Sequence, residues 1–374
     1  MRFTLSSTAL SSSLSSLARV INSKNTLAIL DSILFQVHDG QLVLTSSDSD
    51  NTMKTTLPLD ECEGEADICI PSRTILDSVK ELPEQPLTFE INTSDYSIRV
   101  LYQNGVYNFT GIDAQDYPLT LPLSENCTIV TMDSSVLLNN INRSLFATAQ
   151  EELHLVMNGI YFDMTEECIS IVATDGKKLV RNKNFTVKVD QPVSFILPKK
   201  PATLLKNVLT KDGGDVVVKF DNRSAVISYS GGMLTCRLLD GRYPKYNSVI
   251  PQNNPNQLTI DRRSLLSALR RVLPFASESS QLVRLRTELG KLEVSSEDID
   301  FATSAKESIT CEYVGVPMSI GFKGSNLTEI LSNLDSDEVV IELADPGRAG
   351  VVMPAVQPEN EEVLMLIMPV LLND

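Results

Sequence analysis

One pattern is written three times along this 374-residue chain. Residues 3–21 (FTLSSTALSSSLSSLARVI), 130–148 (VTMDSSVLLNNINRSLFAT) and 258–276 (LTIDRRSLLSALRRVLPFA) each read as a strand end, a polar cap and an amphipathic helix. The copies follow one another at a step of roughly 127 residues. The chain is therefore a triplicated module, and any fold assigned to it must repeat.

Two further features keep the same step. SILFQVHDGQLVLTSSD from Ser32, GIYFDMTEECISIVATDG from Gly159 and LVRLRTELGKLEVSSED from Leu282 alternate apolar and polar residues on both sides of a polar turn, which predicts a hairpin. CIPSRTILDSVKEL from Cys69, ILPKKPATLLKNVL from Ile196 and IGFKGSNLTEILSNL from Ile320 end a strand and open a second helix through a polar capping pair. The module is thus an α+β unit: strand, helix, several strands, helix, several strands. Boundaries at 1–125, 126–253 and 254–374 give three domains of ordinary size, each able to bury its own core.

Hydrophobic residues at 42% and charged residues at 21% suit a globular chain. The longest apolar run, residues 363–372, is too short for a membrane span and is broken by Pro369. The first twenty residues lack the basic start and continuous apolar stretch of a secretion signal, so a cytoplasmic location is expected. The six cysteines (Cys62, Cys69, Cys127, Cys168, Cys236, Cys311) show no paired spacing and read as reduced thiols.

A net charge of -16 argues at first against nucleic acid, but its distribution is uneven. Lys199, Lys200, Lys206 and Lys211 gather around the second helix of module two, and Arg262, Arg263, Arg270 and Arg271 in the first helix of module three. Acidic residues concentrate in DECEGEAD (60–67), QEE (150–152), SSEDID (295–300) and PENEE (358–362), which read as loops. At 100° per residue, Leu265, Leu266, Leu269, Val272 and Leu273 share one face of the module-three helix while Arg263, Arg270 and Arg271 point away. Module two places Leu137, Leu138, Ile141 and Leu145 inward and Arg143 outward. Module one has the stripe Leu10, Leu14, Leu17 and Ile21 under a nearly neutral face of serines and Arg19. Singly these are ordinary solvated faces. Six of them side by side would make a basic lining, suited by its lack of interleaved aromatics to duplex phosphates rather than stacked single strands. Such contacts read no sequence.

Catalytic motifs are missing. His38 and His154 have no neighbouring nucleophile and read as surface residues. No GxxxxGK[ST] or GxGxxG occurs, and Gly213-Gly214 and Gly231-Gly232 read as hairpin turns. Asp48, Asp50 and Asp175 could be imagined around a metal, but Asp48 and Asp175 occupy equivalent turns, where turn chemistry alone favours aspartate. A metal-dependent nucleic-acid enzyme built on these aspartates is the rival reading. No metal or cofactor is expected.

VATDGKKLV (172–180), LLDGRYPKYNSVIP (238–251), TLAIL (26–30), MNGIYF (157–162) and a terminal Met368-Pro369, together with the triplication, resemble the bacterial sliding clamps, the beta subunits of DNA polymerase III. The resemblance spans essentially the whole chain. It implies three clamp domains, each with two helices packed on antiparallel sheets, assembled as a head-to-tail homodimeric ring around double-stranded DNA. Its partners would be the replicative polymerase, the clamp loader and other proteins carrying clamp-binding motifs. Size agrees: six helices about 10 Å apart leave a bore of about 9 Å, too narrow for a duplex roughly 20 Å wide, whereas twelve leave about 28 Å.

Family positions facing DNA match Lys24, Arg73, Lys199 and Lys200, and the internal repeat extends them to Arg263 and Lys323. His154 and Glu151 fall on loop positions that contact DNA in relatives, although Glu151 is acidic. The joint between subunits would bring Tyr107 and Phe109 of module one against Pro274 and Phe275 of module three. A pocket for client peptides with leucine and phenylalanine anchors matches Met157, Thr174, Gly176, Lys177, Leu179, Pro244, Val249, Ile367, Met368 and Pro369. Lys177 and Lys178 replace the commoner histidine-arginine pair, and Ser248 stands where arginine is frequent. The tail MPVLLND runs on through Leu371, Leu372, Asn373 and Asp374, which alters the pocket rim and its entrance.

Overall fold

Each first helix starts where a short polar side chain closes its open N–H groups. Ser6 accepts from the Ala9 amide, Asp133 from Ser135 at 2.7 Å and Asp261 from Ser264 at 2.7 Å. Hydrogen bonds from the Ser135 and Ser264 hydroxyls, and then from their amides, hold the Asp133 and Asp261 carboxyls below the ordinary carboxylate range. The computed structural model describes residues 1–118, 123–150 and 152–372.

Module one runs β1 (Arg2–Ser6), α1 (Ser7–Leu17), β2 (Ser32–His38), β3 (Gln41–Ser47), β4 (Asn51–Pro58), β5 (Glu61–Glu63) and β6 (Ala66–Pro71). It continues with α2 (Ser72–Val79), β7 (Pro86–Ile91), β8 (Ser97–Tyr102), β9 (Gly105–Thr110) and β10 (Ile112–Asp113). Module two has β11 (Thr128–Asp133), α3 (Ser134–Ser144), β12 (Gly159–Met164), β13 (Ile169–Thr174), β14 (Lys178–Asn184) and β15 (Val193–Pro198). It ends with α4 (Lys199–Val208), β16 (Asp215–Phe220), β17 (Ser224–Tyr229) and β18 (Gly232–Arg237). Module three has β19 (Asn256–Asp261), α5 (Arg262–Val272), β20 (Leu282–Glu288), β21 (Lys291–Asp298), β22 (Thr303–Thr310), β23 (Glu312–Val314) and β24 (Met318–Lys323). After it come α6 (Gly324–Ser332), β25 (Glu338–Leu343), β26 (Gly350–Pro354), β27 (Glu361–Ile367) and β28 (Pro369–Val370). The expected order of helices and hairpins thus recurs in all three modules.

Among the described residues the strands form four antiparallel sheets, and the modules share them. The nine-stranded sheet β10-β6-β2-β3-β4-β18-β17-β16-β11 joins module one to module two where β4 pairs with β18. A second nine-stranded sheet, β15-β12-β13-β14-β27-β26-β25-β19-β23, joins module two to module three where β14 pairs with β27. The five-stranded sheets β5-β1-β7-β8-β9 and β22-β21-β20-β24-β28 end on β9 and β22.

This sharing divides the chain into two compact units that cut through module two: residues 1–138 with 200–238, and 139–199 with 239–374. In the first, Leu10, Leu14 and Leu17 of α1 are buried, and Phe3 stacks on Phe89 at 4.8 Å. In the second, Leu265, Leu269 and Val272 of α5 share a core with Leu327 and Ile330 of α6 and with Val363 and Met365 of β27.

Three expectations are corrected. Gly213-Gly214 lies between α4 and β16, so it turns a helix into a strand rather than joining two strands; Gly231, at φ +85°, does sit in the β17–β18 hairpin. Glu361 and Glu362 are the first residues of β27 rather than loop, because both are drawn into ion pairs with module two. Two other acidic runs expected as loops also hold strand: Ser295–Asp298 closes β21, and 60–67 contains β5 and the first two residues of β6. All six cysteines are free thiols, and burial pushes those of Cys69 and Cys236 up to about 12.

Candidate functional site

The turn aspartates behave alike in all three modules. Asp48 Oδ1 accepts from the Asp50 and Asn51 amides at 3.0 and 2.7 Å, Asp175 Oδ1 from Lys177 and Lys178 at 2.9 Å each, and Asp298 Oδ1 from Asp300 and Phe301 at 3.0 and 3.1 Å. This is the local bonding by which aspartate shapes a turn. Among the described residues no group of three or more histidine, cysteine or acidic side chains could hold a metal ion. The aspartates are spoken for by their own backbones.

In the first unit Lys24 is exposed between α1 and β2, and Arg73 is exposed at the second position of α2. Lys200, at the second position of α4, is not a solvated cation. Its ammonium donates to Asp48 Oδ2 at 2.5 Å, to the Val20 carbonyl at 2.6 Å and to Asn22 Oδ1 at 2.6 Å. It clasps module two to module one beside the β4·β18 ladder.

In the second unit Lys199 begins α4, Arg263 is exposed on α5, and Lys323 is half-buried where β24 meets α6. His154 is exposed at a kink, φ -128° and ψ 63°, within the 3-10 segment Glu152–Asn158. Glu151, Asn373 and Asp374 lie outside the described residues. The outward Arg143 is a correction. It is buried, bonded to Glu361 Oε2 at 2.5 Å with both side chains 9% exposed. Arg271 is exposed but paired with Glu307.

The β14·β27 ladder assembles much of the candidate pocket. Lys178 faces Ile367 and Leu179 faces Leu366, while the Met368 amide donates to the Lys177 carbonyl at 2.9 Å. Leu179 and Ile367 are buried; Lys177 and Met368 are exposed, and Pro369 is half-buried in β28. Thr174 is buried, bonding through its hydroxyl to the Lys178 carbonyl at 2.7 Å and accepting from the Gly176 amide at 3.1 Å. Gly176 takes φ +83°, a left-handed conformation that favours glycine in so tight a turn. Beneath lies an apolar cluster of Val172, Leu179, Tyr243, Tyr246, Leu364 and Leu366.

Pro244 lines a cavity of about 600 Å³ with Tyr161, Tyr243 and Tyr246. Tyr161 stacks on Tyr243 at 4.6 Å. Val249 is 55% exposed at the end of the 3-10 turn Tyr246–Val249, and Met157 is half-buried, its carbonyl accepting from the Ala149 amide at 2.8 Å. Burial, reinforced for Tyr246 by its 2.8 Å bond to Asp163, pushes both the Tyr243 and Tyr246 phenols well up, so both stay neutral.

Sequence reasoning did not single out Tyr161 and Tyr243, although they stand inside the MNGIYF and DGRYPKY segments. Lys178, noted there only as part of a changed rim, is buried, and its ammonium meets Asp175 at 2.7 Å and Glu329 of α6 at 3.1 Å. Burial draws the Lys178 pKa down, but the bonds to Asp175 and Glu329 outweigh it and the net shift is upward. The contact therefore holds through neutral pH and is lost only as pH rises past the ordinary lysine range.

Families described as DNA polymerase III beta subunit, N-terminal, central and C-terminal domain match residues 1–122, 131–245 and 247–371 in turn. The beta sliding clamp of Pseudomonas putida is 25% identical over 98% of this chain and 99% of its own, and that of Synechococcus elongatus 26% over 97% of each. The crystal structure of the Bartonella birtlesii sliding clamp, 27% identical, superposes with a TM-score of 0.92 over 100% of both chains. The Bacillus subtilis clamp, at 23%, shares the fold with a TM-score of 0.90 over 100% of both chains. No helix among the described residues is long and apolar enough to cross a membrane. Matched in all three of its modules, the chain belongs to the DNA polymerase III beta subunit family, the DNA sliding clamps, which are non-catalytic processivity factors.

Proposed function

We propose that two copies of this chain close head to tail around duplex DNA in the cytoplasm and tether the replicative polymerase and other clients to it. The clamp loader would open and close the ring. The observation that carries this reading is a repeated junction. Inside the chain, β4 meets β18 and β14 meets β27: each time the third strand of the hairpin set after one module's first helix pairs with the third strand of the set after the next module's second helix. The remaining strands of those two kinds, β22 and β9, end their sheets with no neighbour among the described residues. An unpaired edge of this kind is a template for another chain, and closing two arcs removes every such edge.

The repeat also supplies a register. Met53 pairs with Leu234 and Val180 with Met365, and the counterparts of these residues are Ala305 and Tyr107. The 3-10 turn Leu145–Ala147 brings Phe146 and Ala147 into one core with Val363 and Met365 of β27. Its counterpart Leu273–Phe275 would place Pro274 and Phe275 against Tyr107 and Phe109 of the partner subunit. The three domains of this reading are 1–125, 126–253 and 254–374.

Lys24, Lys199, Arg263, Lys323 and His154 are the positions offered to phosphates. Weak contacts suffice, since a closed ring cannot leave DNA sideways. Low-resolution images of the purified protein are expected to show a ring with an open centre; a particle without one would contradict the reading. Client peptides enter between the Asp175–Lys178 turn, the Tyr246–Val249 turn and the C-terminal strand. Val249→Asp, on an exposed residue, is expected to weaken binding of a leucine- and phenylalanine-anchored peptide more than about tenfold while leaving the melting temperature unchanged. Unchanged peptide affinity would place the pocket elsewhere.

A further inference from the structure

We infer that Arg73 holds the subunit joint rather than DNA, clasping Asp298 of the partner subunit as Lys200 clasps Asp48 within the chain. This rests on the ring reading above. The correspondence is structural on both sides. Ser46 Oγ donates to the Leu17 carbonyl at 2.8 Å and Ser296 Oγ to the Val272 carbonyl at 2.5 Å; each serine lies two residues before its turn aspartate. Asp48 and Asp298 then bond the amides two and three residues on in the same way. Arg73 and Lys200 both stand two residues after a strand-ending proline, Pro71 or Pro198, at the second position of their helix.

The three turns differ in where their cation comes from. The Asp175 turn carries its own, Lys178 at 2.7 Å, and the helix that succeeds it in the repeat has Ser325 at the second position. The Asp48 turn (Ser49, Asp50, Asn51) carries none and receives Lys200 from the next module. The Asp298 turn (Ile299, Asp300, Phe301, Ala302) also carries none, and the next module in a closed ring is module one of the partner, with Arg73 at the equivalent place.

Asp298 is 8% exposed, so its carboxylate gains strongly from a countercharge. Arg73 is exposed and has no hydrogen bond or ion pair among the described residues. The carbonyl of Val20 and the side chain of Asn22, which complete the Lys200 clasp, correspond to Phe275 and Ser277. A guanidinium has the donors to reach all three groups. The same turn exposes Ile299 by 86% and Phe301 by 80%, apolar surface that a second copy would cover.

The test is a double-mutant cycle on the full chain: Arg73→Gln, Asp298→Asn and both together, with the dimer dissociation constant read by sedimentation. Asparagine keeps the oxygen that bonds the Asp300 and Phe301 amides, so the turn survives. Each ring has two joints, so a tenfold loss per joint becomes about a hundredfold for each single variant. The double variant is expected to be no weaker than either single. The proposal is overturned if the wild type is a dimer and the single variants dissociate within about twofold of it, or if their effects multiply. It is also overturned if Arg73→Gln changes only the salt dependence of DNA retention, which would make Arg73 a phosphate contact. A monomeric wild type would instead sink the ring reading itself.

Discussion

Phe109→Asp is expected to convert the dimer to monomer and abolish retention on closed circular DNA. Phe109 and Tyr107 alternate with exposed residues along β9, each half-buried within its own chain. Their remaining surface is what the joint would cover. A carboxylate placed there loses water without gaining a partner, at a cost of about 2 kcal/mol or more per joint. A head-to-tail dimer carries two identical joints, so the ring loses about 4 kcal/mol, roughly a thousandfold in its dissociation constant. The monomer should fold normally, because the core of that sheet is built from Phe3, Phe89 and Val100. Sedimentation and a thermal melt on the same sample separate the outcomes: a folded dimer would remove β9 from the joint.

Glu361→Gln carries the largest expected cost to stability. Arg143 of α3 and Glu361 of β27 meet at 2.5 Å with both side chains 9% exposed, and Asn184 donates to the other Glu361 oxygen at 3.4 Å. Removing the charge leaves a buried guanidinium whose other acidic neighbour, Asp335, is 3.9 Å away and 80% exposed. Breaking a buried pair on one side costs about 3–5 kcal/mol. Chemical denaturation should show the loss, and Arg143→Met with Glu361→Leu should recover most of it, because exchanging both charges for apolar groups removes the desolvation penalty. The neighbouring Arg181–Glu362 pair has a partner 38% exposed, and its loss should cost about 1 kcal/mol or less. Equal effects from both pairs would contradict the burial argument.

What the sequence made legible is what is local. Caps at Ser6, Asp133 and Asp261, hairpins at equivalent offsets and turn aspartates depend on bonds within a few residues, and three copies of each made the pattern readable. Arg143 shows the limit. Helical periodicity alone puts it on the polar face, but that face is covered by a strand from the far end of the chain, and Glu361 is 218 residues away. Lys200 was assigned to the DNA-facing set with its contacts unseen for the same reason, its carboxylate partner lying 152 residues back. The positions of the candidate pocket came from family motifs, whereas the stacking of Tyr161 on Tyr243 joins residues that β13 to β18 and α4 separate in the chain. Which strands the modules share was not legible in the residues themselves, since neither edge of a ladder specifies its partner.

The most direct test loads the protein, with clamp loader and ATP, onto nicked circular plasmid and then linearises the DNA. A ring held by topology stays with the circle through a salt wash and runs off the cut ends, with Phe109→Asp failing to load. Equal retention on circular and linear DNA would mean that the protein grips the duplex by affinity, and the account of a sliding ring would be wrong.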